Sequence, residues 1–189
     1  MNTYDFKERL AFSRGIRESA DIDTLANMIP NASRITKTDE DTDKSGADYR
    51  VELRGGGIVL IDAKARSAGA GRFWKNGPEV ALETWSVKPG PTIPAGKVGW
   101  TLNNAKNTDL ILFTFAPSDC HWAWLVSFHL LHIAFTKNLD AWTQGYRTVT
   151  QSSGGWQSEC VFVPIPVVDK AISQTQRGRF VTTTTMVQA

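Results

Sequence analysis

Apolar positions recur at helical spacing over residues 4–29, through Phe6, Leu10, Ile16, Ile22, Leu25, Ala26 and Ile29, and Pro30 marks the stop. Gly15 predicts a break between two helical pieces. Residues 31–46 are polar and read as a connection. The period then changes from helical to two. Tyr49, Val51 and Leu53 alternate with Arg50, Glu52 and Arg54, the pattern of a half-buried strand. Residues 58–61 are continuously apolar, which predicts a strand buried on both faces, and Gly55, Gly56 and Gly57 join the two as a hairpin. Further strands are predicted at 79–87, 110–115 and 122–126, with a short helix at 101–107 and a longer one over 128–142. An edge strand is predicted at 161–167, because Pro164 and Pro166 would not suit the middle of a sheet. "KPGPTIPAG" (88–96) is an irregular connection, and the tail from about 170 to 189 reads as extended or flexible. The order of elements predicts an α/β (α+β) fold, a central mixed sheet of about five strands flanked by helices.

Length and composition narrow the picture. A chain of 189 residues with 41% hydrophobic content fits a single domain over 1–189 with a substantial core. No apolar run reaches the length of a membrane span, and the charged start "MNTYDFKERL" lacks the core of a secretory signal. A cytoplasmic protein without a membrane partner is expected. Cys120 and Cys160 have no metal-like spacing and read as reduced thiols. The net charge is only +2, but it is segregated. Residues 39–43 are acidic, whereas Lys64, Arg66, Arg72 and Lys75 follow one another with no acid between them. Such a division suits a polyanion beside a cation site.

The hairpin carries the chemistry. The apolar run 58–61 ends in Asp62-Ala63-Lys64, and Asp48 precedes the opposing strand. Folded symmetrically about Gly56, the hairpin would set Asp48 opposite Lys64 and diagonal to Asp62, all on one face. Two carboxylates ~4 Å apart at an effective dielectric of ~20 repel by about 4 kcal/mol. A divalent cation offsets this, and Mg²⁺ typically takes one or two carboxylates and keeps several waters. A lysine beside it could orient or deprotonate a water, or neutralise charge developing on a phosphate. For Asp-x-Lys by itself an ordinary surface ion pair between Asp48 and Lys64 is much the better explanation, because so short a pattern arises often by chance; the context changes the balance.

"SGADY" (45–49) followed by "VLIDAKAR" (59–66), with "FSRGIRESADIDTL" (12–25) upstream, resembles the PD-(D/E)xK nuclease superfamily. In that family a carboxylate on one strand of a hairpin is followed by an acidic-x-Lys on the next, and an upstream helix often adds a glutamate. The strand "EVALETWS" and the later "NTDLILFTF" are similar to the layout of phage-type members. The resemblance covers residues 12 to 115. It implies a restriction-endonuclease-like core and a Mg²⁺- or Mn²⁺-dependent endonuclease acting on DNA, with RNA as the alternative substrate. Asp48 and Asp62 would be metal ligands, with the Ala63 carbonyl as a third, and Lys64 the catalytic lysine. Glu18 would complete the site; Glu8 is its rival on the helix and Glu83 its rival on the third strand. Arg66, Arg72, Trp74 and Lys75 would contact nucleic acid, the aromatic by stacking. The chain departs from the family in having Ala47 where a proline usually precedes the first acid, and it lacks the Gln-x-x-x-Tyr motif of the exonuclease branch. Double-strand cleavage would suit a homodimer.

Two other readings stand beside this one. The same fold could be a catalytically inactive module binding nucleic acid or protein, or a small α/β protein carrying the motif by chance. His129 and His132 share a helix face but lack a third zinc ligand at a recognisable spacing, and Cys120-His121 is no stronger a site.

Overall fold

The computed structural model describes residues 17–66, 77–91, 93–115, 122–153, 155–175 and 186–188. Their contacts divide the chain into two compact units that interleave in sequence. The first is Met1–Arg72, Asn107–Phe128 and Thr183–Ala189; the second is Phe73–Lys106 and His129–Thr182. The mixed α/β architecture expected from the sequence is present.

In the first unit, helix α1 (Arg17–Met28) leads into strand β1 (Ala32–Lys37), a short helix α2 (Glu40–Ser45), and the hairpin strands β2 (Tyr49–Leu53) and β3 (Ile58–Arg66). The second unit intervenes with β4 (Glu79–Val87), β5 (Lys97–Val98) and a 3-10 turn (Trp100–Leu102). The chain then returns for β6 (Leu110–Phe115) and β7 (Trp122–Ser127). Helix α3 (Phe128–Gly145), β8 (Thr148–Ser153), β9 (Trp156–Pro164) and helix α4 (Ile165–Thr175) follow, and β10 (Met186–Gln188) comes last.

Among the described residues the first unit is a six-stranded sheet in the order β1-β2-β3-β6-β7-β10. Every neighbouring pair is antiparallel except β3 and β6, which run parallel with Asp62 beside Ile111 and Lys64 beside Phe113. Parallel pairing needs a long crossover, here residues 67–109. One face of the sheet buries Tyr49, Val51, Ile61, Leu112 and Ala123 against Leu25 of α1 and Ile29 just past its end. The helical period of Ile22, Leu25 and Ile29 supplies that stripe. The other face buries Ile111, Phe113, Phe115 and Trp124, and the Phe113 and Trp124 rings stack at 5.5 Å.

The second unit holds a four-stranded antiparallel sheet, β5-β4-β9-β8. Val80, Leu82, Val161 and Val163 of its two central strands are fully buried. No described helix is long and apolar enough to cross a membrane.

Several expectations change. The strand at 79–87 forms as predicted but pairs with β9 in a separate sheet, not with the hairpin. The polar stretch 31–46 contains β1 and α2; β1 is an edge strand, half exposed, so its apolar signal is thin. Residues 58–61 are not buried on both faces: Ile58 is 48% exposed and only Ile61 of the four is fully buried. Strand β9 stops at Pro164 and α4 starts at once, because Pro166 in its first turn gives up no needed hydrogen bond. Residues 170–175 of the expected flexible tail are therefore helical, while 186–188 are extended.

Candidate functional site

The turn of the β2–β3 hairpin fixes the site. Gly56 and Gly57 take positive φ values of 84° and 92°, a conformation costly for other residues, and the Leu53 amide donates to the Gly57 carbonyl at 3.1 Å. This centres the hairpin on Gly55, one residue before the expected Gly56. The register pairs Tyr49 with Ile61, Arg50 with Leu60, Val51 with Val59 and Glu52 with Ile58. One step further, the Asp48 amide donates to the Ile61 carbonyl at 2.8 Å, and the Asp48 carbonyl accepts from the Thr38 amide at 3.0 Å. The bond to Ile61 is one residue out of step with the pairing of Tyr49 to Ile61, so Asp48 leaves the regular ladder and does not stand opposite Lys64 as a turn centred on Gly56 would place it. Its carboxyl nonetheless meets Asp62 and the Ala63 amide, with Lys64 close enough to act on it.

Alternation along β3 puts Asp62, Lys64 and Arg66 on the face away from α1. Asp62 is 3% exposed. The Lys64 Nζ lies 2.7 Å from Asp62 Oδ1, and the Ala63 amide donates to Asp48 Oδ2 at 2.7 Å. The Asp48 carboxyl is pushed up from an ordinary 3.8 to about 6, chiefly by burial. A hydrogen bond and charge repulsion from Asp62 add to the rise, while the Ala63 amide and the Lys64 ammonium oppose it. The pair thus holds more negative charge than its surroundings balance. That is the electrostatic condition a divalent cation relieves, and two carboxylates with a neighbouring carbonyl are a chemically adequate donor set for Mg²⁺ or Mn²⁺. Among the described residues, no group of three or more His, Cys, Asp and Glu side chains gathers as a metal site. Asp48 and Asp62 form a pair.

Glu18 lies in the first turn of α1, and its side chain is outside the described residues, as are Glu8, Arg72, Trp74, Lys75, Cys120 and His121. Arg66 is the last residue of β3, half-buried beside Phe115. Glu83 is in the second unit, where its carboxylate accepts from the Trp100 amide at 2.9 Å and the Ser86 hydroxyl at 2.7 Å. It braces the 3-10 turn there, and Gly99 packs so closely on the Glu83 carbonyl that no β-carbon fits. His132 holds the same turn through a 2.9 Å contact between its Nδ1 and the Thr101 carbonyl.

One buried polar pair escaped the sequence reading. Asp21, 3% exposed on α1, accepts from the Tyr49 hydroxyl at 3.1 Å. This ties the helix to the residue next to Asp48, on the opposite sheet face. The signal was present: Asp21 falls on the helical period of Ile22, Leu25 and Ile29, where a carboxylate must find a partner.

No protein-family model, no curated protein sequence and no solved structure matches the chain.

Proposed function

We propose that the Asp48–Asp62–Lys64 cluster is the centre of a metal-dependent nuclease of the PD-(D/E)xK type that hydrolyses phosphodiester bonds in DNA, most simply as an endonuclease. The observation that carries this reading is the pair of mutually repelling carboxylates brought together at the end of the hairpin, with the Lys64 ammonium beside them. Asp48, Asp62 and the Ala63 carbonyl would hold Mg²⁺ or Mn²⁺, and Glu18 is the acid we assign to complete the set. The bound ion would supply charge neutralisation and Lewis acidity at the phosphodiester. Lys64, oriented by Asp62, would stabilise the charge that develops on the phosphoryl oxygens. In the net reaction a water oxygen bonds to phosphorus, one ester P–O bond breaks, and the leaving oxygen takes up a proton. Arg66 and the basic run through Arg72, Trp74 and Lys75 would contact the substrate strand. The reading carries with it a cytoplasmic location (a host cytoplasm if the chain is phage-encoded) and a homodimer for paired cuts.

The test is direct. Circular plasmid, linear duplex, single strands, a four-way junction and RNA are incubated with the protein in Mg²⁺, Mn²⁺ or EDTA. Metal-dependent cutting is expected, falling by roughly a hundredfold or more in Asp62→Asn and in Lys64→Ala. Cutting that persists in both variants would overturn the assignment. A second reading, an inactive binding module on the same fold, is favoured by the closure of Lys64 on Asp62 and by the lack of a third acid beside them among the described residues. Binding without cutting of any substrate would select it.

A further inference from the structure

A cleft of about 250 Å³ opens in the first unit, lined by Lys37, Thr38, Asp39, Thr42, Arg50, Leu60 and Asn107. Its position follows from the register. Arg50 pairs with Leu60, two residues before Asp62 on the same sheet face. Successive same-face positions on a strand lie about 7 Å apart, comparable to the spacing of consecutive phosphates along a nucleic-acid strand. From this juxtaposition, and resting on the nuclease reading above, we infer that the cleft holds the backbone phosphate neighbouring the scissile one, with Arg50 as its principal contact.

The chemistry of the lining fits that occupant. Among the lining residues Arg50 supplies the cation and Asp39 is the one acid, and Asn107 adds an uncharged donor suited to phosphate or sugar oxygens. The acid is occupied: Asp39 Oδ1 accepts from the Thr42 amide at 2.8 Å. Arg50 is available to a phosphate because its present partner is weakly held. Its Nε lies 3.5 Å from Glu52 Oε1, with the two side chains 46% and 38% exposed. A pair so exposed contributes at most about 1 kcal/mol, whereas a guanidinium can grip a phosphate through two parallel hydrogen bonds. The backbone beneath is fixed, since β2 is paired on both sides, by β1 and β3.

The experiment measures binding and cutting separately. Anisotropy of short fluorescein-labelled single-stranded DNA, duplex DNA and single-stranded RNA of mixed sequence is titrated in EDTA over a range of salt. Wild type is compared with Arg50→Ala, Lys37→Ala and Arg50→Lys. Arg50→Ala is expected to weaken binding roughly tenfold and to lower the salt slope by about 1. Lys37→Ala is the control, since Lys37 pairs with Tyr49 on the opposite face, and should leave affinity and slope closer to wild type than Arg50→Ala does; Arg50→Lys should restore the slope but not all of the affinity. If Arg50→Ala binds with wild-type affinity and slope, the cleft does not hold a phosphate. Unchanged melting temperatures separate a lost contact from a lost fold, and the Arg50→Lys rescue does so again. The two readings fail differently. Loss of slope in Arg50→Ala without cutting under any metal would sustain the cleft and remove the nuclease. Metal-dependent cutting with an unchanged KM and slope in Arg50→Ala would do the reverse.

Discussion

Replacing Asp48 by Asn should make the metal-free protein more stable at neutral and alkaline pH while abolishing the metal binding proposed for the site. The Asn side-chain oxygen can keep the bond from the Ala63 amide, now 2.7 Å from Asp48 Oδ2, and its amide can donate toward Asp62. What disappears is the buried charge. The folded carboxyl titrates near 6 against an ordinary 3.8, which corresponds to about 3 kcal/mol held against the ionised form. Below pH 3.8 both states are protonated and no penalty exists. As pH rises from about 4 through 6, the folded state retains a proton that the unfolded state has released, so wild-type stability falls; above about 7 the full cost is present. Urea denaturation in EDTA should therefore show Asp48→Asn about 1–3 kcal/mol more stable than wild type near pH 8, and within about 0.5 kcal/mol of it near pH 4. Mg²⁺ should then raise the wild-type melting temperature and leave that of the variant unmoved. A gain of the same size at both pH values, or a variant less stable than wild type at pH 8, would refute the electrostatic account of the site.

Three further outcomes follow from the same geometry. Lys64→Ala removes the attraction that holds the Asp48 pKa down, so Asp48 should titrate above about 6 by carboxyl NMR, and stability near pH 8 should fall by about 1–3 kcal/mol because Asp62 stays buried. Tyr49→Phe deletes the hydroxyl that Asp21 accepts from and should cost about 1–3 kcal/mol by denaturant titration, with Asp21→Asn in the same background recovering part of it. Gly99→Ala forces a methyl against the Glu83 backbone and should lower stability by about 2 kcal/mol or more, measured by calorimetry, with slowed amide exchange lost first at Trp100 and Leu102.

The parts of the fold legible in the sequence were those with strong local periodicity. The alternation of Tyr49, Val51 and Leu53 identified β2, and the apolar runs at 110–115 and 122–126 identified β6 and β7. Edge strands β1 and β8 were passed over because "ASRITK" and "TVTQSS" bury too little to show a period. Periodicity also could not say which strands pair: β4 alternates well, yet its partner β9 is about eighty residues away in sequence. The residues of the candidate site were visible because a carboxylate and a lysine closing an apolar strand conflict with burial. Their register was not, because it turns on which glycines of Gly55-Gly56-Gly57 adopt positive φ, and a one-residue move of the turn slides the facing strand by two.

The crossover between β3 and β6 has a kinetic consequence. The hairpin that brings Asp48 to Asp62 closes over a short span of chain, and such local pairing forms early. The parallel partner β6 must wait for the whole of residues 67–109, and with it comes the burial that makes the two charges costly. The repulsion is thus laid on after the rate-limiting closure, so relieving it with Asp48→Asn or with a bound cation should leave the refolding rate nearly unchanged and slow unfolding instead. Occupancy of the site would then act as a latch on a chain already folded.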